Sequence, residues 1–217
     1  SNVVAFTSGT RVLMRASADV VVIESTAMSS LQGTNVTNQE DSVGCFFTAF
    51  PSGAGGSYQF HNCSASLLQF NTAPLAGRTV LAGWLVMTPC ALAPGPVSGQ
   101  LPTPLNAYYA AFALAGSWNP STVTYNTMPQ WYLNAAPSVA APTSGTSTVW
   151  NITDIVKNWQ AGTWAQNGLF VKHFPVVDRV PMATSQGMNQ DQTTPYCSLE
   201  RNMSNLANAP TLIVDVR

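Results

Sequence analysis

Cys45-Phe46-Phe47-Thr48-Ala49-Phe50-Pro51-Ser52-Gly53-Ala54-Gly55-Gly56-Ser57-Tyr58-Gln59-Phe60-His61-Asn62-Cys63 is the stretch on which the fold turns. Phe46–Phe50 and Tyr58–His61 are rich in aromatic, strand-forming residues, and the segment between them is dominated by Pro, Gly and Ser. Two such runs around such a segment read as a β-hairpin. A hairpin symmetric about Ala54 puts Cys45 opposite Cys63, and cross-strand separations are compatible with a disulfide. Cys90 and Cys197 then pair over a long loop. Four buried thiols are the competing reading. No Cys-x-x-Cys pair occurs, and His61 and His173 lack metal-ligand spacing, so neither a metal nor a cofactor is expected.

Outward from the hairpin the pattern repeats as strand, turn, strand. Arg11–Arg15 and Val20–Ile23 precede it as β-branched apolar runs, separated from it by the polar, turn-rich residues 27–43. Ser66–Phe70, Thr79–Met87, Ser147–Trp150, Gly168–His173 and Thr211–Val216 follow as further strands, and Thr88–Thr103, rich in Pro, Gly and Ala, reads as a loop. Ala107–Gly116 is an apolar run whose periodicity does not separate helix from buried strand. One helix is expected over Asn151–Gly162, where Ile152, Ile155, Val156 and Trp159 form a stripe at helical spacing. Asn151 or Thr153 serves as its N-cap, Asp154 sits in its first turn, and Gly162 ends it. Many short strands with one helix predict an all-β protein, an antiparallel sandwich of jelly-roll type. Residues 11–217 read as one domain and residues 1–10 as an N-terminal arm.

The chain has 217 residues, and only 8% of them are charged, against roughly 25% in a typical soluble domain. A net charge of −1 argues against nucleic-acid binding, which needs a basic surface. A hydrophobic content of 46% argues against disorder. The polar surface then comes from Ser, Thr, Asn and Gln, a composition at home outside cells. No apolar stretch is long enough to span a bilayer as a helix, so membrane insertion is not expected. Asn35, Asn62, Asn151 and Asn202 each begin an Asn-x-Ser/Thr sequon, a candidate glycosylation site in a secreted protein.

Several strings occur in one order: Ala65-Ser66-Leu67-Leu68-Gln69-Phe70-Asn71; Trp118-Asn119-Pro120-Ser121-Thr122-Val123-Thr124-Tyr125; Val149-Trp150-Asn151-Ile152-Thr153-Asp154-Ile155-Val156-Lys157-Asn158-Trp159; and Pro210-Thr211-Leu212-Ile213-Val214-Asp215-Val216. Together they resemble the DNRLRE-domain family, which includes disaggregatase-related repeats and carbohydrate-binding modules attached to alginate lyases. The resemblance runs from about residue 11 to the C-terminus. It implies a β-sandwich on secreted or cell-surface proteins and no catalytic residues. The chain departs from the pattern at Tyr125, where Trp is usual, and at Asn71 and Asn151, where acids are expected. Loss of those acids weakens any case for calcium.

No nucleophile, metalloprotease, phosphate-loop or dinucleotide motif occurs. Asp19 and Glu24 should face opposite sides of a regular strand. A paired-carboxylate enzyme therefore lacks its constellation. Trp84, Trp118, Trp150 and Trp159 fall in strand or helix patterns and read as core. Tyr108 and Tyr109 should point to different faces. Trp131, Tyr132 and Trp164 lie in loops and are the candidates for stacking on a sugar. In the arm, Val3, Val4 and Phe6 form a strand-competent segment that either pairs with its own sheet or adds to the sheet edge of another copy. The sequence thus predicts a non-catalytic, secreted structural protein of a matrix, filament or cell surface that binds copies of itself. The alternative is a carbohydrate-binding module for a polysaccharide, although a binder of acidic polysaccharide would want more Lys and Arg than this chain has.

Overall fold

The computed structural model describes residues 9–25, 35–36, 41–51, 57–90, 108–133, 137–140, 146–173, 190–191, 194–199 and 206–217. In chain order the strands are β1 (Thr10–Ser25), β2 (Asn35–Val36), β3 (Asp41–Pro51), β4 (Ser57–Phe70), β5 (Val80–Met87), β6 (Tyr108–Ala113), β7 (Ser138–Ala140), β8 (Thr148–Asn151), β9 (Leu169–His173), β10 (Gln190–Asp191), β11 (Thr194–Tyr196) and β12 (Thr211–Val216). Among the described residues there is one α-helix, α1 (Thr153–Gln160), which follows β8. The described residues make an all-β protein with one short helix, as the sequence predicts.

The pairing is antiparallel throughout and runs β7-β6-β9-β4-β1-β12-β5-β8. β1 is the hinge of this order. Its first part, Thr10–Arg15, pairs with β12, and the rest pairs with β4 after an irregularity between Ala16 and Ala18. The two apolar runs read separately in the sequence are therefore one strand, bent where it passes from one arm of the sheet to the other. The ends of the path, β7 and β8, approach each other, and the sheet is nearly barrel-shaped.

The hairpin registers as its symmetry requires: Phe50 pairs with Tyr58, Phe47 with His61, and Cys45 with Cys63. β10 and β11 add to its outer strand β3, and β2 adds to β1.

One core cluster fills the space between the arms. Met14, Leu85, Met87, Leu212 and Val214 come from one arm, Leu68, Phe70, Ala111, Leu169 and Val171 from the other, and Ile155, Val156 and Trp159 from α1. Trp150, fully buried, links the arms directly by donating its indole N–H to the Tyr109 carbonyl at 2.8 Å. A second cluster lies on the far face of the β4-β9-β6 arm, where Val20, Val22, Leu67, Phe112 and Phe170 are covered by Trp118, Val123, Tyr125, Met128 and Trp131. Trp118 is thus half-buried against this cluster, not a full core residue, and its indole N–H donates to the Asn167 carbonyl at 2.8 Å.

α1 starts one residue away from either expected cap. Ile152 occupies the N-cap and offers no side-chain acceptor. Asn151 Oδ1 instead accepts from the Thr153 amide and hydroxyl, at 3.1 and 2.7 Å, and Thr153 Oγ1 accepts from the Gly83 amide at 3.0 Å. The polar residues flanking the cap therefore tie the helix to β5 as well as closing its first turn. The helix ends as read: Gly162, at φ 70°, follows the C-cap Ala161.

Candidate interaction surface

The face of β1, β12, β5 and β8 that points away from the core is laid out in rows by the strand register. Met14, Leu212, Leu85 and Trp150 form one row across the four strands and are buried. Their neighbours alternate to the other face. There Leu13, Ile213, Trp84 and Asn151 form one row, and Arg15, Thr211, Val86 and Val149 form the next. Arg11, Asp215 and Ala82 close the patch on the other side. Leu13 is 64% exposed and Val149 46%, while Trp84, Val86 and Ile213 are half-buried. Trp84 is thus an outward-facing residue, contrary to the core placement expected from its strand pattern. Large apolar side chains that share one face mark an interaction site more often than scattered single ones do.

Charge at the patch is arranged around the tryptophan. Arg11 donates twice to the Asp215 carboxylate, at 2.8 and 3.0 Å, and its guanidinium lies 5.6 Å from the centre of the Trp84 ring. The hydrogen bond and charge of Asp215 raise the Arg11 pKa, and Arg11 in turn holds the Asp215 carboxyl below its ordinary range. One face of the indole is therefore already occupied by a cation, which disfavours a sugar stacking there and leaves an apolar row with a polar border.

The loop aromatics predicted to meet a sugar are engaged within the chain. Tyr132 and Trp164 stack on each other, with centroids 4.4 Å apart and planes 5° apart, and both pack against the main core. Trp131 lies 5.0 Å from Phe170 and 6.3 Å from Phe112, with the Lys172 ammonium 5.4 Å from its ring centre. Trp131 also forms an isolated bridge with Leu114, which places it against the sheet. The three do not form one platform.

Cys90 and Cys197 form a disulfide, with Cα atoms 4.9 Å apart. The bond continues a backbone junction in which Pro89 pairs with Tyr196 and the Cys197 amide donates to the Thr88 carbonyl at 2.9 Å. Next to it, the buried Asp19 carboxylate accepts from the Leu199 amide at 2.7 Å. Asp19 thereby fastens this segment to β1. Cys45 and Cys63 are opposed in the backbone register of the hairpin.

Of the sequon residues, Asn151 is exposed beside α1. Asn35 and Asn62 lie in β2 and β4, and Asn202 lies outside the described residues. Val3, Val4 and Phe6 also lie outside them, while Thr10, the last residue of the arm, already belongs to β1 and pairs with Val216 of β12. Tyr108 is 43% exposed and Tyr109 1%, on opposite faces as expected.

A buried polar group surrounds Tyr109. Its hydroxyl pairs with that of Thr194 at 2.8 Å, and the Tyr196 hydroxyl pairs with that of Thr148 at 2.7 Å, where burial pushes the phenol pKa far up. His173 is 4% exposed, its ring centre is 6.4 Å from that of Tyr109, and its Nε2 has no hydrogen-bond partner among the described residues. Burial, reinforced by the Lys172 charge, lowers its pKa. The unfolded chain takes up a proton at about pH 6.5 that the folded chain refuses. Stability from this group is complete above that pH and is lost as pH falls toward the lowered value. The melting temperature is expected to drop between pH 7 and 5, and His173→Phe to flatten that drop; a drop of equal slope in the variant would assign it to other groups.

Among the described residues, no three His, Cys, Asp or Glu side chains come together as a metal site, and no helix is long and apolar enough to cross a membrane. Compared with known proteins, the chain matches no family model and is significantly similar to no curated protein.

Proposed function

We propose that this chain is a non-catalytic building block of an extracellular matrix, filament or cell surface, and that it self-associates through the outer face of β1, β12, β5 and β8. The observation that carries this reading is the outward-facing apolar row of exposed Leu13 and half-buried Ile213 and Trp84, on a chain with few charges. On this face Arg11 and Asp215 already neutralise each other, which leaves the exposed Arg15 as the charge that packing copies must keep at the rim. The Cys90–Cys197 bond is at home in an oxidising compartment, and a second bond between the opposed Cys45 and Cys63 belongs to the same proposal. The resemblance to DNRLRE domains adds a jelly-roll description of the two arms and a surface-protein setting. The arm, residues 1–10, supplies a second contact by adding a strand to a neighbouring copy.

Sedimentation across a concentration series tests this. Leu13→Glu changes an exposed residue, so the fold is expected to survive while association weakens by about tenfold or more. Deleting residues 1–9 separates the contribution of the arm. A wild type that stays monomeric at all concentrations, or a Leu13→Glu protein that associates as wild type does, removes the proposed face. The alternative, carbohydrate binding, is left with little support from Trp131, Tyr132 and Trp164, which pack on their own chain.

A further inference from the structure

The sequon Asn151-Ile152-Thr153 runs off the end of β8 into the first turn of α1. Burial alternates along β8: Thr148 and Trp150 point into the core, Val149 and Asn151 away from it. The register then sets Asn151 beside Trp84, in the outward row that continues through Ile213 to Leu13. At about 4.8 Å between strands, Asn151 stands roughly 5 Å from Trp84 and roughly 14 Å from Leu13 along that row. Its carboxamide is used on one side only. Oδ1 accepts from the Thr153 amide and hydroxyl, whereas Nδ2 has no hydrogen-bond partner among the described residues. Closing the helix turn explains why an Asn and a Thr stand two residues apart here. It leaves the amide nitrogen unused, on an exposed residue at the end of an apolar row.

We infer that Asn151 is the sequon residue whose modification controls the outer face of β1, β12, β5 and β8: an N-linked oligosaccharide on Nδ2 stands over the end of the apolar row and keeps a second copy off it. The inference rests on the self-association proposed for that face. In the transfer, Nδ2 attacks the anomeric carbon of an oligosaccharide carried on a polyprenyl pyrophosphate. The new C–N bond replaces the C–O bond to the pyrophosphate, which leaves with its lipid, and Nδ2 gives one proton to a base of the transferase. No oxidant or reductant is involved. Oδ1 is untouched, so both hydrogen bonds from Thr153 persist in the glycosylated chain and the fold accepts the modification. A second copy cannot avoid the group by shifting sideways. A specific interface takes about 800 Å² from each partner, a disc roughly 30 Å across, so one centred on Leu13, Ile213 or Trp84 reaches Asn151. An oligosaccharide trapped there loses hydration and conformational freedom, and both losses oppose the apolar contact. Occupancy of Asn151 thereby sets the fraction of chains able to join an assembly through this face.

The test expresses the chain through the secretory pathway of cultured eukaryotic cells, as wild type and as Asn151→Ser. That substitution removes the sequon, keeps a short acceptor beside Thr153 and leaves the other three sequons alone. Wild type from a bacterial periplasm supplies the bare protein with its disulfide, and carries the comparison if Asn151→Ser does not fold. Enzymatic deglycosylation in ¹⁸O-water converts a glycosylated Asn to labelled Asp, and peptide mass mapping is expected to find that label at Asn151. In sedimentation, the secreted wild type is expected to associate more weakly than Asn151→Ser and the bare protein, by about tenfold or more. An unlabelled Asn151 peptide, or a glycosylated wild type that associates as tightly as Asn151→Ser, overturns the inference. If the bare protein and Asn151→Ser are both monomeric at every concentration, the face itself falls and its control falls with it; the peptide map tells that failure apart from an unmodified Asn151.

Discussion

Gly168→Ala is expected to destabilise the protein by about 3–5 kcal/mol, which lowers the melting temperature of a chain this long by roughly 6–20 °C. Two costs combine at this position. Gly168 sits at φ 93°, a backbone conformation that residues with a Cβ rarely adopt. A Cβ there would also run into the Leu68 carbonyl, and the neighbouring Gln69 Cα would be 3.3 Å away. The obstacle is backbone, not the end of a flexible side chain, so relief requires moving a strand. The strand in question is held on both sides: Leu68 pairs with Leu169, and Leu114 donates its amide to the Gly168 carbonyl at 3.1 Å. Gly168 is where β9 enters between β4 and β6, and opening that junction disturbs both core clusters. Gly77 and Gly162 provide the controls. They have φ values of 71° and 70°, and a Cβ on either would meet nothing within 4 Å. Alanine at those sites should cost only the conformational term, about 1–2 kcal/mol. Thermal and urea unfolding of the three variants separate the two costs, and a Gly168→Ala protein as stable as Gly77→Ala would show that the junction is slack.

The sequence carries the same distinction unevenly. Strand bounds are legible: Val80–Met87 and Thr211–Val216 match the reading within a residue, and in the structure their burial alternates. Ala107–Gly116 was ambiguous for a physical reason. β6 is covered on one face by the core and on the other by residues 118–131, so five of its six residues are buried and no alternation remains. The sequence reads Gly168 as the first residue of a strand, because a requirement for positive φ leaves no mark beyond the letter itself. Trp84 was misplaced for the opposite reason. In Val80–Met87 both faces of the strand are apolar, so hydrophobicity alone cannot say which face is inside. The deciding information was in the partners: Leu13, Ile213 and Trp84 share a row only once the registers of β1, β12 and β5 are known. What the sequence did expose was local symmetry. Counting outward from Ala54 placed Cys45 across from Cys63, and the backbone register agrees.

Opening the Cys90–Cys197 bond is the second large effect expected. The bond spans a sequence separation of 107 residues. In the chain-entropy description, cross-linking a loop of about 100 residues stabilises the folded state by roughly 4.7 kcal/mol, with measured values for native bonds commonly 2–5 kcal/mol. The effect falls on the unfolded chain, because the folded junction has other fastenings: the Cys197 amide on Thr88, the pairing of Pro89 with Tyr196, and the Leu199 amide on Asp19. Cys90→Ser with Cys197→Ser should therefore keep the fold while lowering the unfolding midpoint. The urea m-value should rise, since an unfolded chain without the cross-link exposes more surface. A Cys45–Cys63 bond closes a much shorter loop, so Cys45→Ser with Cys63→Ser should cost less, about 3 kcal/mol if that bond forms. Marginal stability makes the difference consequential: against a typical 5–15 kcal/mol, the loss of 4 or 5 brings the chain close to unfolding in a reducing compartment. Urea titrations of the oxidised protein, the two double variants and the reduced wild type decide the matter. If the Cys90→Ser/Cys197→Ser protein matches the oxidised wild type in midpoint and slope, the bond contributes nothing, and with it goes the argument that an oxidising environment maintains this fold.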